Sequence, residues 1–188
     1  MQRNNFFHII NITITMIMLT LTLFCSCEKR EPAAQPVPND VMTKILQDLS
    51  ADDYTEYIEY TEYISGRKDK ELSDKIVQII YSDDEKNSVD MSKIAEYSIR
   101  QSKENPSVEI GIFKLYDKVN AEYVKNMSNN RIAKLREDNQ NDIYFLETAN
   151  NAEVRSYGNY VYYVSHSEKD RIFRIIENML REDNNNGV

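Results

Sequence analysis

Gly158-Asn159 constrains this chain more than any other pair of residues. It separates Glu153-Val154-Arg155-Ser156-Tyr157 from Tyr160-Val161-Tyr162-Tyr163-Val164-Ser165. Two-residue loops of this composition supply the positive φ that a tight hairpin turn needs, and the Tyr- and Val-rich flanks suit paired strands. An antiparallel hairpin over about residues 153–165 is therefore predicted. Ser167-Glu168-Lys169-Asp170 follows with the spacing of a capping box, in which the acid reaches back to the cap amide. The helix it opens carries Ile172, Phe173, Ile176, Met179 and Leu180 on one side.

The same order of elements occurs upstream. Ser107 to Tyr116 is apolar at 108, 110 and 112 on one face and at 113 and 115 on the other, the pattern of a strand covered on much of both faces. Glu96 to Gln101 is its expected partner, with Asn105-Pro106 in the connecting turn. Asp117 then reads as the N-cap of a helix to about Asp138, with Val119, Tyr123, Val124, Met127, Ile132 and Leu135 inward. Hairpin–helix thus appears at roughly 95–138 and again at 152–182. The fold class expected is α+β: one antiparallel sheet from two hairpins, both helices on one face, and a helical segment before them.

That earlier segment holds two amphipathic stretches. Asp40 to Leu49 places Val41, Ile45, Leu46 and Leu49 together, and Glu71 to Tyr81 does so with Leu72, Ile76, Ile79 and Ile80. Between them Tyr54, Tyr57, Tyr60 and Tyr63 recur every three residues, out of phase with acids at the same interval. A spacing of three suits neither a helix face nor a strand face, so periodicity leaves both open. The four tyrosines are a candidate acidic-aromatic surface for a basic peptide or a sugar. The competing reading is that they pack along a domain edge with their hydroxyls wet.

The N-terminus carries an address. Met1 to Asn5 has one charge, Arg3, and Phe6 to Phe24 has none. Phe24-Cys25-Ser26-Cys27 ends this apolar run, and Glu28-Lys29-Arg30-Glu31 follows. A basic start, an apolar stretch and a small residue before a cysteine make an export signal. Residues 1–26 read as a lipoprotein signal peptide and Cys27 as the lipidated residue, although Phe24 stands where leucine is usual in such a box. An uncleaved anchor would need about 20 apolar residues, and His8, Asn11 and the threonines at 13, 15, 20 and 22 make a poor span. Residues 27–39, with Pro32, Pro36 and Pro38, form a semi-rigid tether. Residues 40–183 form a single domain, and 184–188 a disordered polar tail.

Removal of 26 residues leaves 162, with 22 basic against 31 acidic side chains and a formal charge of −9. That length supports one ordinary core. The acidic balance argues against nucleic acid as a partner. Cleavage removes Cys25 and lipidation consumes Cys27, so the mature chain has no thiol for a disulfide or for catalysis.

Val108-Glu109-Ile110-Gly111-Ile112-Phe113-Lys114-Leu115-Tyr116-Asp117 resembles the strand-to-helix core of a family of small Gram-positive bacterial lipoproteins known only as a domain of unknown function. Asn151-Ala152-Glu153-Val154 and Tyr157-Gly158-Asn159-Tyr160-Val161-Tyr162-Tyr163-Val164, with the last helix, resemble that family's ending. The likeness runs over about residues 72–182. It implies the anchor and an α+β fold and brings no catalytic residue.

Chemical motifs are otherwise sparse. His166 is the single histidine after residue 26, too little for a nitrogen or sulfur metal site. In Ser165-His166-Ser167-Glu168 it reads as an exposed loop residue, since neighbours along a chain seldom converge as a triad. The four glycines, at 66, 111, 158 and 187, make no phosphate loop. Asp83 to Asn87 and Asp138 to Asp142 lack the glycine and the closing acid of a calcium loop. No cofactor is expected. The sequence favours a non-catalytic, membrane-tethered binding or accessory domain outside the cytoplasmic membrane, held by lipid and meeting an envelope protein or a small ligand. A glycan hydrolase using a carboxylate pair and a structural subunit of an envelope complex are the alternatives.

Overall fold

The predicted turn forms as its composition requires. Gly158 sits at φ +58°, with open space around its α-carbon, so backbone conformation rather than crowding selects glycine. The computed structural model describes residues 35–50, 60–65, 70–82 and 89–185. Its elements run α1 (Pro38–Ser50), β1 (Tyr60–Ile64), α2 (Lys70–Tyr81), β2 (Ile94–Ser102), β3 (Glu109–Leu115), α3 (Ala121–Asp138), α4 (Ile143–Asn150), β4 (Glu153–Tyr157), β5 (Tyr160–Ser165) and α5 (Lys169–Asn185). The class is α+β.

All five strands form one antiparallel sheet in the order β1-β2-β3-β5-β4. The two predicted hairpins, β2–β3 and β4–β5, join through β3 and β5, with Gly111 opposite Tyr163. Tyr60 to Ile64 adds an edge strand to β2. The end of the tyrosine-rich stretch is therefore extended, which its spacing alone left open.

The helices divide between the two faces, correcting the expectation of one. On one face α1 (Val41, Met42, Ile45, Leu49) and α5 (Ile172, Phe173, Ile176, Leu180) cover Ile110, Ile112, Tyr160, Tyr162 and Val164. On the other, α2 (Val77, Tyr81) and α3 (Val124, Met127, Ile132) cover Tyr97, Ile99, Phe113, Val161 and Tyr163. The reason lies in β3 and β5, which are buried at nearly every residue and so on both faces. A strand apolar on both sides needs a layer on each.

Two local expectations also shift. Asp117 caps a short 3₁₀ turn, Lys118–Asn120, by accepting from Val119 N–H at 3.0 Å; the α-helix begins only at Ala121. Val119, predicted inward, is consequently 76% exposed. At α5 the carbonyl of Glu168 accepts from Ile172 N–H, so the cap falls one residue after Ser167 and the predicted capping box is out of register.

Candidate functional site

The most deeply buried ion pair among the described residues lies between β3 and α3. Arg131 falls on the apolar stripe of α3, between Met127 and Leu135. Glu109 opens β3 on the same face as Gly111 and Phe113. Their side chains meet as a bidentate pair, Nε to Oε1 at 2.9 Å and Nη2 to Oε2 at 2.6 Å. Glu109 is 1% exposed and Arg131 8%. Tyr163 donates its phenol proton to Glu109 Oε1, and the Tyr81 hydroxyl bonds that of Tyr163.

Gly111 makes this arrangement possible, because a Cβ there would overlap the Tyr163 ring. Tyr81 meets Phe113 edge-on with ring centroids 5.6 Å apart, carrying α2 onto the sheet. Burial, reinforced by the Glu109 charge, pushes the phenols of Tyr81 and Tyr163 well up, so both stay protonated donors. Burial opposes the Arg131 charge, but the Glu109 carboxylate outweighs it and the guanidinium pKa ends raised. The network is a polar bolt through four elements, α2, β3, α3 and β5. Its sequence signals were an arginine on an apolar helix stripe and an acid in a strand covered on both sides, and neither was read as such.

Of the residues singled out from sequence, Cys27, Tyr54 and Tyr57 lie outside the described residues, as does Asp83 to Asn87. Tyr60 stands in β1 opposite Ser102. Tyr63, opposite Ile99, is half-buried against the core beneath α2 and α3, and burial followed by the Glu109 charge raises its pKa. Tyr63 therefore packs in part against the core. Asp142 is used as the N-cap of α4, accepting from Tyr144 N–H at 3.0 Å and Phe145 N–H at 3.2 Å.

His166 departs furthest from expectation. It is fully buried instead of exposed. Glu168 N–H donates to its Nδ1 at 2.7 Å, which leaves the ring proton on Nε2. Loss of hydration lowers its pKa to about 4, with the Glu168 charge opposing. Among the described residues no group of three or more His, Cys, Asp or Glu side chains is placed to hold a metal ion. No helix among them is long and apolar enough to cross a membrane.

Two open depressions mark opposite ends of the sheet. The first, about 400 Å³, lies where β3 ends and the β4–β5 turn folds over, with Tyr116, Tyr157, Tyr160, Asp117, Lys118 and Asn159 around it. Gln35 and Pro36 close one side. Tyr160 donates its hydroxyl proton to the Pro36 carbonyl at 2.7 Å, and Asn159 Nδ2 donates to Gln35 Oε1 at 3.1 Å. The second, about 740 Å³, lies where β3 begins and β5 ends. Asn105 comes from the β2–β3 turn, Tyr144 and Glu147 from α4, Asn150 and Asn151 from the turn into β4, and Ser167 from the turn into α5.

Both volumes fall within the range of small-molecule sites, about 300–1,000 Å³. Rings and amides so placed can stack on a ligand and exchange hydrogen bonds with it. The tyrosines that reach solvent here, 116 and 144, are not those marked by the sequence pattern. No family model, no curated protein and no solved structure matches this chain.

Proposed function

We propose that the protein is a lipid-anchored extracytoplasmic binding domain, held to the outer face of the cytoplasmic membrane through Cys27 and engaging its ligand without transforming it. One observation carries the binding reading. Among the described residues, the groups whose protonation is most perturbed, Tyr81, Tyr163, Arg131 and His166, are walled in by packing, while the open depressions present tyrosyl rings and amides beside surface charges, Asp117 and Lys118 in one and Glu147 in the other. Catalytic sites tend to place their perturbed groups in the cleft. The charge-free stretch ending at Ser26-Cys27, and the likeness to a lipoprotein family, support the anchor.

The test has two arms. Cys27→Ala should release the protein from the membrane fraction or leave an unprocessed precursor; normal processing with unchanged retention overturns the anchor. The purified protein should leave peptidoglycan and model glycosides intact. Hydrolysis abolished by changing one acid would overturn the binding reading.

A further inference from the structure

We propose that the depression beside α4 is a saccharide site that takes a neutral pyranose ring stacked on Tyr144. This rests on the binding-domain reading and names its ligand class. Tyr144 is 78% exposed, on the side of α4 away from buried Ala149. A tyrosine left so bare on a short, well-anchored helix offers a flat face of negative quadrupole. The apolar C–H face of a sugar ring meets such a surface favourably.

The surrounding groups match the sugar's edge. Hydroxyls both donate and accept; Asn150 and Asn151 amides do the same, Ser167 offers a hydroxyl, and Glu147 accepts. Glu147 is the formal charge in the lining, and the whole chain stands at −8, so phosphorylated or carboxylated ligands meet repulsion.

The site is also pre-set. Asp142 fixes the first turn of α4 through Tyr144 N–H and Phe145 N–H. Thr148 Oγ1 donates to the Tyr144 carbonyl at 3.2 Å, and Lys169 Nζ to that of Asn151 at 2.9 Å. Ser165 Oγ bonds the carbonyl of Ser107 at 2.6 Å and lies 3.4 Å from that of Thr148, tying the β2–β3 turn to α4. Asn105 Oδ1 accepts from Ser107 N–H at 3.1 Å. Walls held by backbone contacts lose little entropy on binding. The depression stands at the end of β3 away from Gln35, roughly 20 Å along the strand.

The full-length chain, purified in mild detergent, is titrated with cellotetraose and with chitotetraose by calorimetry and by amide-shift mapping. At least one should bind, moving the amides of Asn105, Ser107 and Ser167 and those of 143–151. Tyr144→Ala should weaken it by about tenfold or more, while Tyr144→Phe, which keeps the ring, stays within about threefold. Tyr116→Ala should change nothing. Failure of both sugars to bind, wild-type affinity in Tyr144→Ala, or shifts confined to the Tyr116 depression would each overturn the proposal. So would a Lys/Leu peptide that displaces the sugar from this end at lower concentration. Binding here and membrane release by Cys27→Ala are read separately, so either can fail while the other stands.

Discussion

At the scale of single residues, His166 gives the chain a built-in response to acid. Its folded pKa, about 4, lies below the ordinary value of 6.5. Between those two values the unfolded chain binds a proton that the folded chain refuses. Stability is thus full above pH 6.5, declines as pH falls toward 4, and loses no more from this group below that. The difference corresponds to roughly 3 kcal/mol. His166→Gln offers a neutral acceptor to Glu168 N–H and cannot take up the proton. It should be less stable than wild type at pH 7, with the gap closing toward pH 4, when urea midpoints are compared across the range. A gap independent of pH would show that the imidazole is not held neutral by burial. No local sign of this stands in the sequence, since Ser165, Ser167 and Glu168 around it are polar. Its burial follows from where β5 ends, beneath the turn into α5.

Among the elements, the bolt of Glu109 and Arg131 decides how α3 and the sheet hold together. A buried ion pair stabilises little by itself, because desolvation cancels most of the attraction, whereas breaking it strands a charge. Arg131→Met should cost about 3–5 kcal/mol in chemical denaturation, and Glu109→Leu should cost a comparable amount. The double variant should recover much of that loss. If its cost equals the sum of the two, the residues act independently and the bolt is not what joins these elements. Gly111 belongs to the same unit, and its reason was hidden because it depends on a ring from another strand. Turns were legible where their chemistry is local, as at Gly158-Asn159 and Asn105-Pro106. The face on which each helix packs was not, since a strand apolar on both sides says that two layers exist without saying which helix joins which. The tyrosine stretch stayed open for a different reason: a three-residue interval winds slowly round an α-helix and alternates faces in a strand, and pairing with β2 decided it at Tyr60–Ile64.

For the whole molecule, sheet order sets a gradient of stability from the centre outward. The strands β3 and β5 have a neighbour on each side and a helical layer on each face. Their amides can open only when both layers lift. By contrast β1 pairs with β2 alone, and α4 exposes Ile143 and Tyr144 at its start, 76% and 78%. Exposed aromatics of this kind are set by tertiary placement, so no sequence period announces them, and the candidate site was legible only as a class of residue. Native-state hydrogen exchange should therefore show β3 and β5 amides opening together at the full unfolding free energy, of order 5–15 kcal/mol. Amides of β1 and of the first turn of α4 should exchange through smaller openings. A neutral saccharide bound beside Tyr144 should slow exchange in α4 and in the turn at 105–107 more than in β1, because Ser165 ties those two walls together directly, whereas β1 reaches the turn only through Ser102 of β2. Protection of β1 equal to that of β3 would contradict the gradient, and slowing that spread to β1 as strongly as to α4 would mean that the ligand tightens the whole sheet and not one end of it.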